Sequence, residues 1–218
     1  MPSTNKPAMD SRTIDAFKSK LVGGGARPNL FEVEPQWPSF LTSAIDDDTQ
    51  EMARFMVKAA NLPASNITPI DVPFRGRNLK IAGDRTFDVW TITIINDTDF
   101  KLRNAFEIWM NGMNKHQDAT GVTTPTDYQR DAYVYQLGRS ASDSSADFGA
   151  TGGTIPVLKA YKFHGVFPTN VSAIELSYDQ PDTIEEFTVD LQVQWWDAFN
   201  KDGETILGTE GEGIANAG

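Results

Sequence analysis

Side chains of the kinds that do chemistry are sparse and scattered in this 218-residue chain. It has no cysteine, which excludes a disulfide scaffold and any thiolate metal site. The two histidines, His116 and His164, lie far apart, and neither stands in a metal-ligand spacing such as HExxH. The acidic run Asp46 to Asp48 lacks the glycine and terminal glutamate of a calcium loop. Glu185 and Glu186 are neighbours on an expected strand, so they point to opposite faces and make no acid/base pair. There is no Gly-x-Ser-x-Gly, and the triplet Gly23 to Gly25 is not followed by Gly-Lys-Ser/Thr, so it reads as a linker rather than a phosphate loop. Asn66-Ile67-Thr68 and Asn170-Val171-Ser172 match a glycosylation pattern that means nothing without secretion. Neither an enzyme nor a bound cofactor or metal is expected.

The charge balance excludes further classes. A formal net charge of −11 argues against a protein that grips nucleic acid or an anionic membrane, because holding phosphates needs clustered Lys and Arg. No apolar run reaches the length of a membrane span, and the start lacks the apolar core of a signal peptide, so the protein is expected to be made and to stay in a cytoplasm until released. Arg75, Arg77 and Lys80 form a basic cluster, with Asp84 and Arg85 close behind in the segment GDRTF. Gly83-Asp84 is expected to make a turn. Asp84 and Arg85 fit either a local ion pair at that turn or a reach by Arg85 across a subunit boundary.

The elements around these residues are mostly strands. Phe87 to Ile95 alternates in β-branched and aromatic residues and predicts a strand with little exposure. A helix follows, capped from among Asn96, Asp97 and Thr98 and carrying Leu102, Ala105, Phe106, Trp109 and Met113 at threes and fours. Further strands are expected over Asn29 to Glu34, Arg77 to Ala82, Tyr128 to Leu137, Ile155 to Phe163 and a short run through Ile174, Leu176 and Tyr178. A turn at Phe167 to Asn170 separates the last two. Ile67 to Phe74, interrupted by Pro69 and Pro73, is an edge or bulged strand if it is one. The alternation is cleanest from Phe187 to Trp195, where Phe187, Val189, Leu191, Val193 and Trp195 share a core face and Thr188, Asp190, Gln192 and Gln194 share a wet one.

Four segments carry a resemblance: ARPNLFEVE (Ala26 to Glu34), GDRTFDVWTITIIND before a helix with an internal Trp, HGVFPTNVSAIELSYD (His164 to Asp179) and IEEFTVDLQVQWW (Ile184 to Trp196). In this order they resemble the tail tube protein of contractile-tailed, myovirus-type bacteriophages. Met52, Phe55, Met56 and Ala59 have helical spacing, whereas the resemblance places a strand from about Phe55 to Ala60; a helical turn followed by a strand from Arg54 onward is expected.

The fold expected is mainly β, a sandwich or small barrel with one flanking helix. The resemblance implies that subunits assemble into hexameric rings with a continuous β-barrel lumen. The domain would span 26–196, with insertions at about 35–50 and 138–153, between a flexible arm (1–25) and a flexible tail (197–218). The implied function is a structural virion protein whose stacked rings fill a contractile sheath and conduct DNA at ejection, assembled in the host cytoplasm. Its partners would be itself, the tail sheath protein, baseplate and tube initiator proteins, a tape measure protein in the tube, and DNA in transit without sequence-specific binding. The inner tube of a contractile injection or secretion system is the alternative, and a monomeric β-sandwich ligand-binding module is a third. Arg75, Arg77, Lys80, Asp84 and Arg85 are the assembly candidates. Thr188, Asp190, Gln192 and Gln194 are the lumen candidates, since a polar, acidic lumen lets phosphates slide; an outward or inter-ring face fits them as well.

Overall fold

The computed structural model describes residues 13–21, 25–41, 45–139, 157–179, 182–200 and 205–207. The arm before residue 13, Gly23 and Gly24, most of the Gly138 to Gly153 loop, the start of the strand expected from Ile155, the middle of the turn after Asp179 and the end of the tail lie outside the described residues. The strands are β1 (Phe31–Pro35), β2 (Val57–Ala60), β3 (Ser65–Phe74), β4 (Arg77–Phe87), β5 (Trp90–Ile95), β6 (Arg130–Leu137), β7 (Val157–Val171), β8 (Glu186–Gln192), β9 (Trp195–Asn200) and β10 (Thr205–Leu207). The helices are α1 (Ile14–Lys20), α2 (Asp47–Met56), α3 (Lys101–Met113) and α4 (Pro125–Tyr128).

Among the described residues, eight strands form one bent sheet in the order β1-β6-β7-β8-β5-β2, with β9 beside β7 and β10 beside β9, and β3 and β4 pair only with each other. The bend comes from a single ribbon. The first half of β7 pairs with β9, from Lys159↔Asn200 to His164↔Trp195, and its second half pairs with β8, from Phe167↔Gln192 to Val171↔Val189. At the hinge Gly165 has φ +62, and a Cβ there would come within 2.6 Å of Gln194 Cγ, so only glycine permits both the backbone angle and the approach. The two arms fold over each other as the layers of a sandwich that stays open in the single chain.

The core between the layers and under α3 is one cluster that includes Val33, Trp90, Ile92, Ile94, Phe163, Phe187, Val189 and Leu191. Trp90 and Phe163 meet across it with ring centroids 4.7 Å apart. As the spacing predicts, α3 buries Leu102, Ala105, Phe106 and Trp109. The N-cap position is Phe100, with φ +55 and no side-chain cap, rather than Asn96, Asp97 or Thr98 as expected; Asp97 Oδ2 accepts from the Lys101 amide at 3.2 Å from outside that position. Trp109 Nε1 donates to the Tyr128 carbonyl at 2.9 Å, which ties the helix to the start of β6.

Several boundaries differ from expectation. A second substantial helix, α2, flanks the sheet: Asp46 Oδ1 accepts from the Thr49 amide at 2.8 Å, and Asp47 and Asp48 sit in the first turn, where the helix dipole favours them. The acidic run is thus a helix start within the expected irregular excursion, and α2 continues to Met56, so β2 begins only at Val57 rather than at Arg54. The central strand begins at Trp90, since Asp88 and Val89 lie between β4 and β5. The strand expected to end before Phe167 runs on through Pro168, because Gly165 bends the chain without ending it and Pro168 needs no ladder bond on its open side. The run from Phe187 to Trp195 is two strands, broken at Val193-Gln194 where it crosses from one layer to the other. The sheet continues past Trp196 to Asn200, with Asp197 and Ala198 buried. Ile174, Leu176 and Tyr178 form no strand. α1 forms over the N-terminal amphipathic piece, and Ile14 and Phe17 stay exposed on it.

Candidate assembly surfaces

The β3–β4 hairpin is a two-stranded arm apart from the main sheet. Its turn is Arg75-Gly76, with φ +47 and +85, the positive pair that a type I′ hairpin turn requires. Gly83-Asp84 is therefore not the turn. Ile67 pairs with Arg85 and Pro69 with Ala82, so Gly83 and Asp84 together oppose Thr68 as a bulge. A Cβ on Gly83 would lie 2.5 Å from the Thr68 carbonyl oxygen, and glycine is needed for that approach.

The register gives the arm two unlike faces. Ile70↔Ile81, Val72↔Leu79 and Phe74↔Arg77 share one side, while Asp71↔Lys80 lies on the other and is joined by an ion pair of 2.8 Å. The apolar side has no cover: Val72 is 39% exposed, Ile81 49%, Ile70 53%, Leu79 60% and Phe74 65%. A lone two-stranded ribbon is marginal in water, and one presenting five uncovered apolar side chains is built to be covered.

The expected assembly residues separate accordingly. Arg75 and Arg77 are at the tip, with the Arg75 guanidinium 5.3 Å from the centre of the Phe74 ring. Lys80 is committed to Asp71. Asp84 and Arg85 lie in and just beyond the bulge, and among the described residues no ion pair joins them, so the local turn pair is corrected.

A second surface is the outer side of β5 and β8. Thr91 lies opposite Asp190 and Thr93 opposite Thr188. Asp190 Oδ1 accepts from the Thr91 hydroxyl at 2.7 Å, and its Oδ2 accepts from Asn170 Nδ2 at 3.1 Å. Thr188, Asp190 and Gln192 do share this polar side. Gln194 stands apart from them, exposed in the break after β8 and packed against Gly165.

The outer side of the other layer holds a charged cluster that sequence reasoning did not find, because its members come from β6, β7 and β9. Asp131 accepts from Lys162 at 2.9 Å, His164 Nε2 lies 3.0 Å from Asp197, and Trp195 stacks on the imidazole at 3.7 Å. Burial opposes the charge on Lys162, but the hydrogen bond and charge of Asp131 outweigh it and hold the ammonium above its ordinary value. Beside it Arg54 of α2 pairs with Glu34 at 2.7 Å, and burial together with the Glu34 charge raises the Tyr135 phenol. The pairs fasten α2 and β9 to the sheet. The signal available in sequence was the alternation of polar residues in β6 opposite Ala132 and Val134.

A family model described as phage tail tube protein matches residues 26–198. The chain belongs to that family. Tail tube protein gp19 of Enterobacteria phage T4 is 33% identical over 183 residues, covering 84% of this chain and 95% of that protein. The tail tube protein of Serratia phage KSP90 is 29% identical over 182 residues, covering 83% and 93%. Two solved structures share the fold. The anti-feeding prophage cap matches with TM-score 0.54 at 14% identity over 81% of this chain and 91% of that one. A sheath-tube complex of the extracellular contractile injection system PVC matches with TM-score 0.50 at 12% identity over 84% and 97%. Tail tube proteins are structural components of virion tails, and the surfaces above are to be judged as assembly surfaces rather than as sites of catalysis.

Proposed function

We propose that this tail tube protein polymerises as stacked hexameric rings inside a contractile sheath and forms the conduit through which DNA is ejected. The observation that carries the reading is the uncovered apolar arm on a sandwich that remains open. Free strand edges and an exposed ribbon are hazards in a monomer and become joints in a polymer, where neighbouring sheets close a barrel around the axis. Baseplate and initiator proteins at the base, sheath outside and a tape measure protein within complete the set of partners, with assembly in the host cytoplasm.

The polar side of Thr188, Asp190 and Gln192 supports a lumen role. At its centre it presents hydroxyls, an amide and a carboxylate, and Lys58 on the neighbouring β2 is paired with Glu186. Such a wall repels phosphates and holds none of them by counterion release. Gln194, outside that strand, belongs to the corner of the sandwich.

The experiment is electron microscopy of the purified protein. Hollow rods support the reading; a stable monomer that binds a small ligand overturns it. In a cryo-microscopy map of the rods Asp190 should face the channel, and finding it against the sheath would remove the lumen assignment. The alternative, the inner tube of a contractile injection system, is favoured by the shared fold of the PVC sheath-tube complex. The higher identity lies with the phage proteins, and a neighbouring capsid gene decides between them.

A further inference from the structure

We infer that the β3–β4 arm docks in a second copy of the chain, in the cleft between residues 174–179 and 183–186. The inference rests on the tube reading and names the surface that receives the arm. The cleft is open, about 960 Å³, and lined by Ile174, Glu175, Leu176, Tyr178, Asp179 and Ile184 among others.

Three observations converge on it. The first is unmet strand character. Ile174, Leu176 and Tyr178 alternate as a strand does, yet the segment has no ladder partner among the described residues. Its backbone is free to pair with an incoming edge. The arm supplies such an edge, since among the described residues β3 and β4 pair only with each other.

The second is apolar complementarity. Leu176, Tyr178 and Ile184 are 81%, 106% and 68% exposed, and the arm's five apolar side chains are uncovered as well. Both surfaces are bare in one molecule, so neither covers the other within the chain.

The third is charge. Between Ile174 and Glu186 the sequence holds Glu175, Asp179, Asp182, Glu185 and Glu186 and no Lys or Arg. The arm carries Arg75, Arg77, Lys80 and Arg85 against Asp71 and Asp84, a net positive element on a chain of net charge −11. Glu185 accepts from Asn96 and Glu186 from Lys58, which leaves Glu175, Asp179 and Asp182 with no ion-pair partner among the described residues. Arg75 and Arg77 at the arm's tip likewise have no carboxylate partner there. A basic and apolar ribbon thus faces an acidic and apolar cleft of the same chain type, which is what a head-to-tail polymer contact needs.

The absence of cysteine makes a direct test simple. Val72→Cys and Leu176→Cys are prepared separately, mixed under assembly conditions and oxidised, so that a disulfide between the two variants can form only between copies. A heterodimer far more abundant than that from Val72→Cys mixed with Lys115→Cys supports the docking. In parallel, Arg75→Glu with Arg77→Glu, and Glu175→Lys with Asp179→Lys, should each raise the critical concentration for assembly about tenfold or more, and the combined variant should recover it. Tubes that form normally while the cross-link stays at the control level overturn the docking and leave the tube reading intact. A wild-type chain that forms neither tubes nor cross-links overturns both.

Discussion

Replacing Leu79 and Ile81 together with threonine should separate assembly from folding. In the single chain Leu79 is 60% and Ile81 49% exposed, so about half of each side chain is left to bury when the arm is covered. Full burial of a Leu or Ile side chain stabilises by about 1.5–3 kcal/mol, which puts the loss on docking at up to roughly 1.5–3 kcal/mol for the pair. The entropy of association is common to wild type and variant and cancels in the difference. At 1.4 kcal/mol per factor of ten, the critical concentration for assembly should rise about 10- to 150-fold. Folding should hardly notice. The two residues face only Val72 and Ile70 across the ribbon, pairs worth about 0.2–1 kcal/mol each, and threonine keeps the strand preference. Sedimentation across a concentration series measures the first quantity, and calorimetry below the assembly threshold measures the second. A variant that assembles at the wild-type concentration, or one that melts far below wild type as a monomer, refutes the reasoning that the arm's apolar face belongs to a neighbour.

Other perturbations probe the subunit itself. Gly165→Ala places a Cβ at φ +62 and 2.6 Å from Gln194 Cγ, so urea unfolding should show a loss of about 1–3 kcal/mol from strain at the corner of the ribbon. Trp109→Phe keeps the apolar ring but strands the Tyr128 carbonyl, and should lower stability by about 1–3 kcal/mol with no change in helix content by circular dichroism. The Asp46 carboxyl is held below its ordinary 3.8, first by the Thr49 hydroxyl and then by the Thr49 amide. A depressed folded value stabilises above 3.8 and loses that stabilisation as pH falls through the folded value. Asp46→Asn should therefore melt below wild type at neutral pH, and the gap should close in acid; a gap that is constant with pH refutes the charge component of the cap.

Local pattern made much of the subunit legible. The burial of Trp90, Ile92 and Ile94, of Phe187, Val189 and Leu191, and of Leu102, Phe106 and Trp109 follows from periods of two and 3.6, which depend only on neighbours along the chain. The helix at Asp47 had a readable start in Asp46 and Thr49. The strand implied by the resemblance competed with it, and helix and strand meet at Met56-Val57. Family membership was also legible, because whole segments agree with tail tube proteins in order.

Sequence alone determined the alternating faces, the amphipathic helix, the prolines that keep β3 at an edge, and an acidic, cysteine-free chain without a catalytic spacing. Tertiary structure decided where those faces go. It turned GDRTF from a turn into a bulge, since whether Gly83 reverses a chain or admits the Thr68 carbonyl depends on the strand opposite. It bent β7 at Gly165 and split the Phe187 to Trp195 run between two layers. It gathered Asp131, Lys162, His164 and Asp197 from three strands. It also left the arm and the cleft beside Leu176 bare. Exposure is a property of the whole packed chain, and no local pattern reports which apolar surfaces the fold will leave uncovered.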